Sequence, residues 1–278
     1  MADPFWNNVV TLLNFEGANN SNISVNSANN ASPPEHSGVG CVITDVRSKF
    51  GSTSVYIPNN AYVSTGPKNT GAGEDYEFGS SDWTVEGWFN IPAEAGIQHM
   101  VFAYGNDSPT PDDIPWSLAY NTIENTFIGS VKIGDTTSAA NTMVFDLDTD
   151  GAATGPAGHF NDTFSHIHLT RNGGNIIIGI DGFNVVSTGL IPADAALYRF
   201  IDDGGVTPPS IGGSRSGLGN IADDLPMYVD EFRITKGVAR YTGATYDVPT
   251  AAFSTSGGGG GASISGNYGN NLSIRIGL

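Results

Sequence analysis

Apolar and polar positions follow one another in short runs along most of the chain. Ten runs stand out, at 9–15, 54–57, 84–91, 100–104, 116–120, 126–133, 142–147, 165–171, 175–180 and 228–235. Each is rich in β-branched or aromatic residues and is bounded by Gly, Pro, Asn or Asp, the pattern of strands between turns. The run 84–91 alternates only roughly, as a strand buried on part of both faces would. Residues 175–180, Asp181-Gly182 and 183–187 predict a hairpin, because Asp-Gly readily takes φ > 0 at a tight turn. A short helix is predicted over 193–198. Many short strands without interleaved helices predict an all-β, two-sheet antiparallel sandwich.

The polar stretches 19–37 and 105–115 read as surface loops. The pattern breaks at 254–262, a Gly/Ser-rich stretch with the composition of a flexible linker. Beyond it Leu272, Ile274, Ile276 and Leu278 alternate strictly, which predicts a strand. The expected organisation is a sandwich over 1–253, a linker over 254–262 and a β tail over 263–278. The tail can fold back on its own sandwich or pair with the sheet edge of a neighbouring subunit. The second is the expectation.

Composition narrows the classes. Of 278 residues only 14% are charged, while 39% hydrophobic and 10% aromatic residues can supply a core. The net charge of −17 repels phosphate backbones, so no nucleic-acid partner is expected; it is compatible with divalent cations. No apolar run approaches the ~20 residues that span a bilayer, so no membrane insertion is expected. Residues 1–6 lack the basic and apolar regions of a signal peptide. Cys41, the single cysteine, excludes an intramolecular disulfide and reads as a buried small hydrophobe.

Several segments carry a family resemblance. Residues 229–242, V-D-E-F-R-I-T-K-G-V-A-R-Y-T, followed by Pro249 and Phe253, resemble the closing strand of laminin-G-like, concanavalin A-like jelly rolls. The version in bacteriophage and marine viral structural proteins is especially similar. L-L-N-F-E-G at 12–17 resembles the opening strand, Phe50-Gly51-Ser52 the turn after the first long loop, and W-T-V-E-G-W-F at 83–89 a central strand. F-S-H-I-H-L-T-R at 164–171, with Ile180-Asp181-Gly182, resembles the hairpin that follows. The resemblance covers about residues 9 to 253. Phe164 and His168 depart from it, and nothing in it corresponds to the tail.

The resemblance implies a structural calcium between the first and last strands, with Glu16 and Asp230 as carboxylate ligands and Asn19 contributing. The alternative for Asp230 is an ion pair with an arginine or a strand end in water. Regular alternation would put Asp230 on the face of Phe232 and Ile234. Asp146, Asp148 and Asp150, before Gly151, match the first half of a calcium loop, but position twelve is Ala157 where a glutamate is needed. An acidic loop after a strand is the competing reading. His166 and His168 share one strand face without an evident third ligand, and read as structural. For carbohydrate, Tyr104, Trp116 and Tyr198 are candidate stacking residues, although Trp116 sits in a strand pattern that favours a place in the core.

Catalysis finds no actors. No strand carries the paired carboxylates of jelly-roll glycosidases, and G-x-S-x-G, H-E-x-x-H and a phosphate loop are absent from the sequence. The expectation is a non-enzymatic virion structural protein, a capsid decoration or a tail or appendage subunit, located in the virion and oligomeric or particle-bound. Leu272, Ile274, Ile276 and Leu278 would form its partner interface. The alternative is a carbohydrate-binding adhesion module for host glycans.

Overall fold

The computed structural model describes residues 2–23, 27–28, 35–37, 40–59, 61–65, 76–91, 98–105, 114–134, 140–148, 163–197, 208–213 and 226–257. The strands are β1 (Val9–Leu13), β2 (Glu35–Ser37), β3 (Val42–Thr44), β4 (Ser54–Ile57), β5 (Tyr62–Ser64), β6 (Trp83–Asn90), β7 (Gln98–Tyr104), β8 (Trp116–Asn121), β9 (Thr126–Val131), β10 (Asn141–Asp146), β11 (Ser165–Asn172), β12 (Asn175–Ile180), β13 (Phe183–Ser187), β14 (Ser210–Ile211) and β15 (Met227–Lys236). One sheet runs β13-β12-β11-β6-β15-β4-β3, with β1 also on β15; the other runs β10-β9-β8-β7-β14-β5-β2. The strand pairings are antiparallel throughout. The chain is therefore an all-β, two-sheet jelly-roll sandwich, as the run pattern predicts.

Between the sheets, Val85, Phe89, Leu169, Phe232 and Ile234 meet Phe102, Trp116, Leu118, Phe127 and Phe145, all buried. Burial of each such side chain stabilises the fold by about 1.5–3 kcal/mol. Phe78, Trp83 and Trp116 pack as a triangle of rings, with centroid distances of 5.4, 5.9 and 5.7 Å. The predicted hairpin is β12–β13, closed by Asp181 at φ 45° and Gly182 at φ 97°. The predicted helix is not formed over its described part, 193–197. Arg171 explains why. Its guanidinium donates to the carbonyls of Ala193 and Ala195, the groups a helix would use for its own ladder.

After β15, residues 237–257 cross the outer face of the larger sheet as a strap. The Arg240 amide donates to Thr84 Oγ1, Asn184 N to the Ala244 carbonyl, and Tyr246 N to the Gly182 carbonyl. The strap thereby lines the free side of edge strand β13. At the opposite edge, Asn20 N donates to Ile43 O and Ile43 N to Ser21 O, so residues 20–21 line β3.

Under the strap lies a buried polar layer. Glu86 is fully buried and receives Arg233 Nε and Nη2 at 2.9 and 2.8 Å; His166 Nε2 lies 3.2 Å from it, and the Tyr241 hydroxyl donates to it. Asp3 joins Arg233 and Arg240 at 2.8 and 2.9 Å. His168 stacks on Tyr241 at 4.5 Å and lies 2.9 Å from Asn184 Oδ1. Burial, with His166 adding to it, pushes the His168 pKa down to about 3, so the ring is neutral. Gly179 opposite His168 makes this possible, since a Cβ there would come within 2.0 Å of His168 Nε2. The two histidines are structural, as their strand pattern suggests. Among the described residues no helix is long and apolar enough to cross a membrane.

Candidate functional site

The signature strand is not regular. Val229 pairs with Phe89 and Asp230 with Trp88, but Arg233 pairs with Glu86 and Ile234 with Val85. Glu231 and Phe232 therefore both oppose Gly87, as in a β-bulge, with Glu231 at φ 53°. The extra residue shifts the phase of the strand. Phe232 and Ile234 point into the core, whereas Asp230 sits opposite Trp88 in the same row as the Glu86–Arg233 pair, on the outer face. This corrects the expectation from regular alternation that Asp230 shares a face with Phe232 and Ile234.

The bulge opens a cavity of about 520 Å³ at the end of β1. Phe15, Ile23, Ile43 and Phe253 supply apolar wall; Asn14, Glu16 and Glu231 supply polar groups; residues 252–255 of the strap close one side. Glu231 Oε2 accepts from Asn14 Nδ2 at 2.7 Å and from the Phe253 amide at 2.8 Å. Asn14 Oδ1 is buried and has no hydrogen-bond partner among the described residues. Phe15 (φ 55°) and Glu231 are both non-glycine residues in the left-handed region, and both line the cavity. Such backbone costs on the order of 1–3 kcal/mol per residue and collects at functional sites. The volume falls in the range of small-ligand pockets.

Carboxylates crowd this end of the sandwich. Burial pushes the Glu231 pKa up to about 7, and the charges of Asp230 and Glu16 push the same way, against the Phe253 amide and Asn14. Burial likewise raises Asp230 to about 6 with Glu16 adding to it, while the amides of Phe50, Lys49 and Glu231 pull it down.

The proposed calcium ligands do meet at one place, the turn over residues 49–53. Asp230 Oδ2 accepts the amides of Lys49 and Phe50 at 2.8 and 3.0 Å. Glu16 accepts Ser52 N, Ser52 Oγ and Thr53 Oγ1, and its carboxylate occupies the space a side chain at Gly51 would need. The turn thus bridges the two strands. Asn19 is exposed and, among the described residues, bonds to neither carboxylate. Asp230 Oδ1 is buried without a well-formed hydrogen bond. Calcium takes six to eight oxygens; among the described residues no three His, Cys, Asp or Glu side chains are placed to hold a metal.

The second acidic candidate is a turn. Asp146 accepts the Asp148 amide at 2.9 Å, and Asp148 accepts Asn125 Nδ2 at 2.7 Å; Asp150 lies outside the described residues. Tyr104 and Trp116 are corrected as sugar-stacking residues. They are 2% and 0% exposed, and their rings pack on each other at 5.8 Å inside the sandwich. Their inward positions on β7 and β8 take both faces out of reach. Tyr198, Leu272, Ile274, Ile276 and Leu278 lie outside the described residues, as does the whole predicted tail.

Asn14, Glu231 and Phe253 are cavity residues the sequence reading did not single out. The adjacent acidic pair Asp230-Glu231 was the available signal, but its meaning depends on the bulge.

No protein-family model matches the chain, and no curated protein sequence matches it. Solved structures do. A botulinum neurotoxin serotype C1 binding domain aligns over 84% of this chain and 50% of its own, at 13% identity and a TM-score of 0.52. Domain 4 of AbnA, a GH43 extracellular arabinanase from Geobacillus stearothermophilus solved with arabinotriose, aligns over 83% and 93%, at 13% identity and TM-score 0.50. This chain spans about half the length of the neurotoxin binding domains it matches. At such identity the likeness is one of fold: a concanavalin A-like, laminin-G-like sandwich. Neither structure is a virion component, so the virion expectation gains nothing from them.

Proposed function

We propose that this domain is a non-enzymatic carbohydrate-binding module whose site is the cavity between Asn14–Glu16, Glu231 and residues 252–255. The observation that carries the reading is the cavity itself: apolar wall beside Glu231 and a buried, unpartnered Asn14 Oδ1, held on strained backbone. Sugars present both C–H faces and hydroxyl donors, and this lining meets both. Among solved structures with the same fold, one is a domain in complex with arabinotriose, which supports the class of ligand without naming it. The direct hydrogen-bond partners of Glu231 are neutral donors, Asn14 Nδ2 and the Phe253 amide, which suits a group that holds a ligand.

The test is calorimetric titration with a panel of neutral and charged oligosaccharides, with Phe253→Ala as the control for the site. Binding that is lost in the variant while its unfolding remains cooperative supports the assignment. A panel without a binder, or binding indifferent to Phe253→Ala, removes it.

A further inference from the structure

The lining of the cavity is lopsided in charge and in hydrogen bonding. Among the described residues, Glu231 and Glu16 line it and no Lys, Arg or His does. Asp230 stands directly beside Glu231 in sequence, and its like charge makes an ionised Glu231 costlier until a cation joins them. The cation nearest the wall is Arg233, 3.9 Å from the Phe253 ring centroid, but it is ion-paired with Glu86 and Asp3. Lys49 of the neighbouring turn lies over Trp88, 3.8 Å from its ring centroid. Two of the donors beside Glu231, Asn14 Nδ2 and the Phe253 amide, point to its carboxylate, and among the described residues Asn14 Oδ1 is an acceptor without a donor; the hydroxyls of Ser27, Ser254 and Thr255 complete the polar lining.

A cavity with a buried carboxylate, a vacant acceptor and no cation asks its ligand for hydrogen-bond donors and positive charge. We infer that the cavity takes a sugar bearing a free ammonium group, a 2-amino-2-deoxyhexose, with its nitrogen held by Glu231 and Asn14 Oδ1. The inference rests on the carbohydrate-binding reading and narrows it to one ligand chemistry. The net charge of −17 would draw such a cationic glycan toward the domain at low salt. Titration sharpens the picture. Glu231, Asp230 and Glu16 are the titratable groups at this place, and with Glu231 raised to about 7 its charge is lost between pH 8 and pH 5.5. The amine of such a sugar itself loses its proton toward pH 8, so binding is expected to be strongest near neutral pH and to weaken on both sides, as Glu231 is protonated below and the sugar is deprotonated above.

The experiment is calorimetric titration of the full chain in EDTA with three tetrasaccharides: β-1,4-linked glucosamine, N-acetylglucosamine and glucose. The glucosamine tetramer is expected to bind about tenfold or more tighter than the other two. Glu231→Gln should erase that preference, and Glu16→Gln at the exposed rim should reduce it about twofold. Circular dichroism and thermal unfolding verify that both variants fold. Equal or tighter binding of the neutral tetramers overturns the ammonium inference and keeps the carbohydrate reading. A glucosamine preference that survives Glu231→Gln overturns the site. No binding by any tetramer overturns both.

Discussion

Glu86 and Glu231 are both buried carboxylates beyond the core of the larger sheet, a few ångströms of strand apart, yet they are opposites. Burial alone would raise the Glu86 pKa, but Arg233, His166 and Arg240 hold it well below the usual carboxylate range. Glu231 has an amide and a carboxamide as its hydrogen-bond partners and like charges nearby, and is pushed up to about 7. A compensated buried charge fastens one piece of chain to another. An uncompensated one is a standing cost that the fold retains beside a cavity. The difference separates a fastener from a site more sharply than burial does.

Removing the fastener should have the largest effect. Glu86→Ala leaves Arg233 and Arg240 without their shared partner and is expected to destabilise the domain by about 3–5 kcal/mol in urea unfolding. A loss under 1 kcal/mol would mean that the strap holds without its charges.

Second in size is the pH dependence. Glu231 and Asp230 have folded pKa values raised to about 7 and about 6, from 4.5 and 3.8. Between those values the native state binds more protons than the unfolded chain, so stability falls as pH rises from about 4 to 7. The shift of Glu231 alone corresponds to about 3 kcal/mol of this decline. Glu86 acts in the opposite sense and loses its contribution as pH falls below its unfolded value of 4.5. Glu231→Gln should flatten the decline between pH 4.5 and 7 and raise Tm at pH 8; an unchanged profile would contradict its raised pKa.

Gly179→Ala comes next. Its Cβ would collide with His168 and Asn184, 2.0 and 2.3 Å away, and should cost about 1–3 kcal/mol by thermal unfolding. Smaller still is calcium: with no shell assembled among the described residues, its addition to EDTA-treated protein should move Tm by less than about 1 °C. A shift of several degrees would give Asp230 Oδ1 a cation. Ile123→Ser, at a residue 72% exposed, should change stability by no more than about 0.5 kcal/mol.

The fold was largely legible because strand periodicity is a local signal. All ten runs fall on strands, and β4, β12 and β13 begin and end where the pattern does. The two-residue β14 and the three-residue β2, β3 and β5 are too short to show a period. The site was legible only in part. Asp230 and Glu16 were marked by the resemblance, and both do reach the 49–53 turn. The single extra residue at Glu231 re-aims the strand, however, and a bulge formed between distant partners has no local signature. Tyr104 and Trp116 failed for a related reason. An aromatic in a strand is as suited to a core as to a sugar, and the partner sheet decides.

The chain lying along β13 and along β3 has one further consequence. A sheet grows into fibres by recruiting strands at its ends, and at both ends of the larger sheet the covering chain engages part of the edge backbone: residues 20–21 take Ile43 of β3, and the strap takes Asn184 at the start of β13. Crowded together or warmed short of unfolding, copies of this domain should therefore stay discrete instead of adding to one another through that sheet. Loosening the strap would turn a colloidally inert particle into a template.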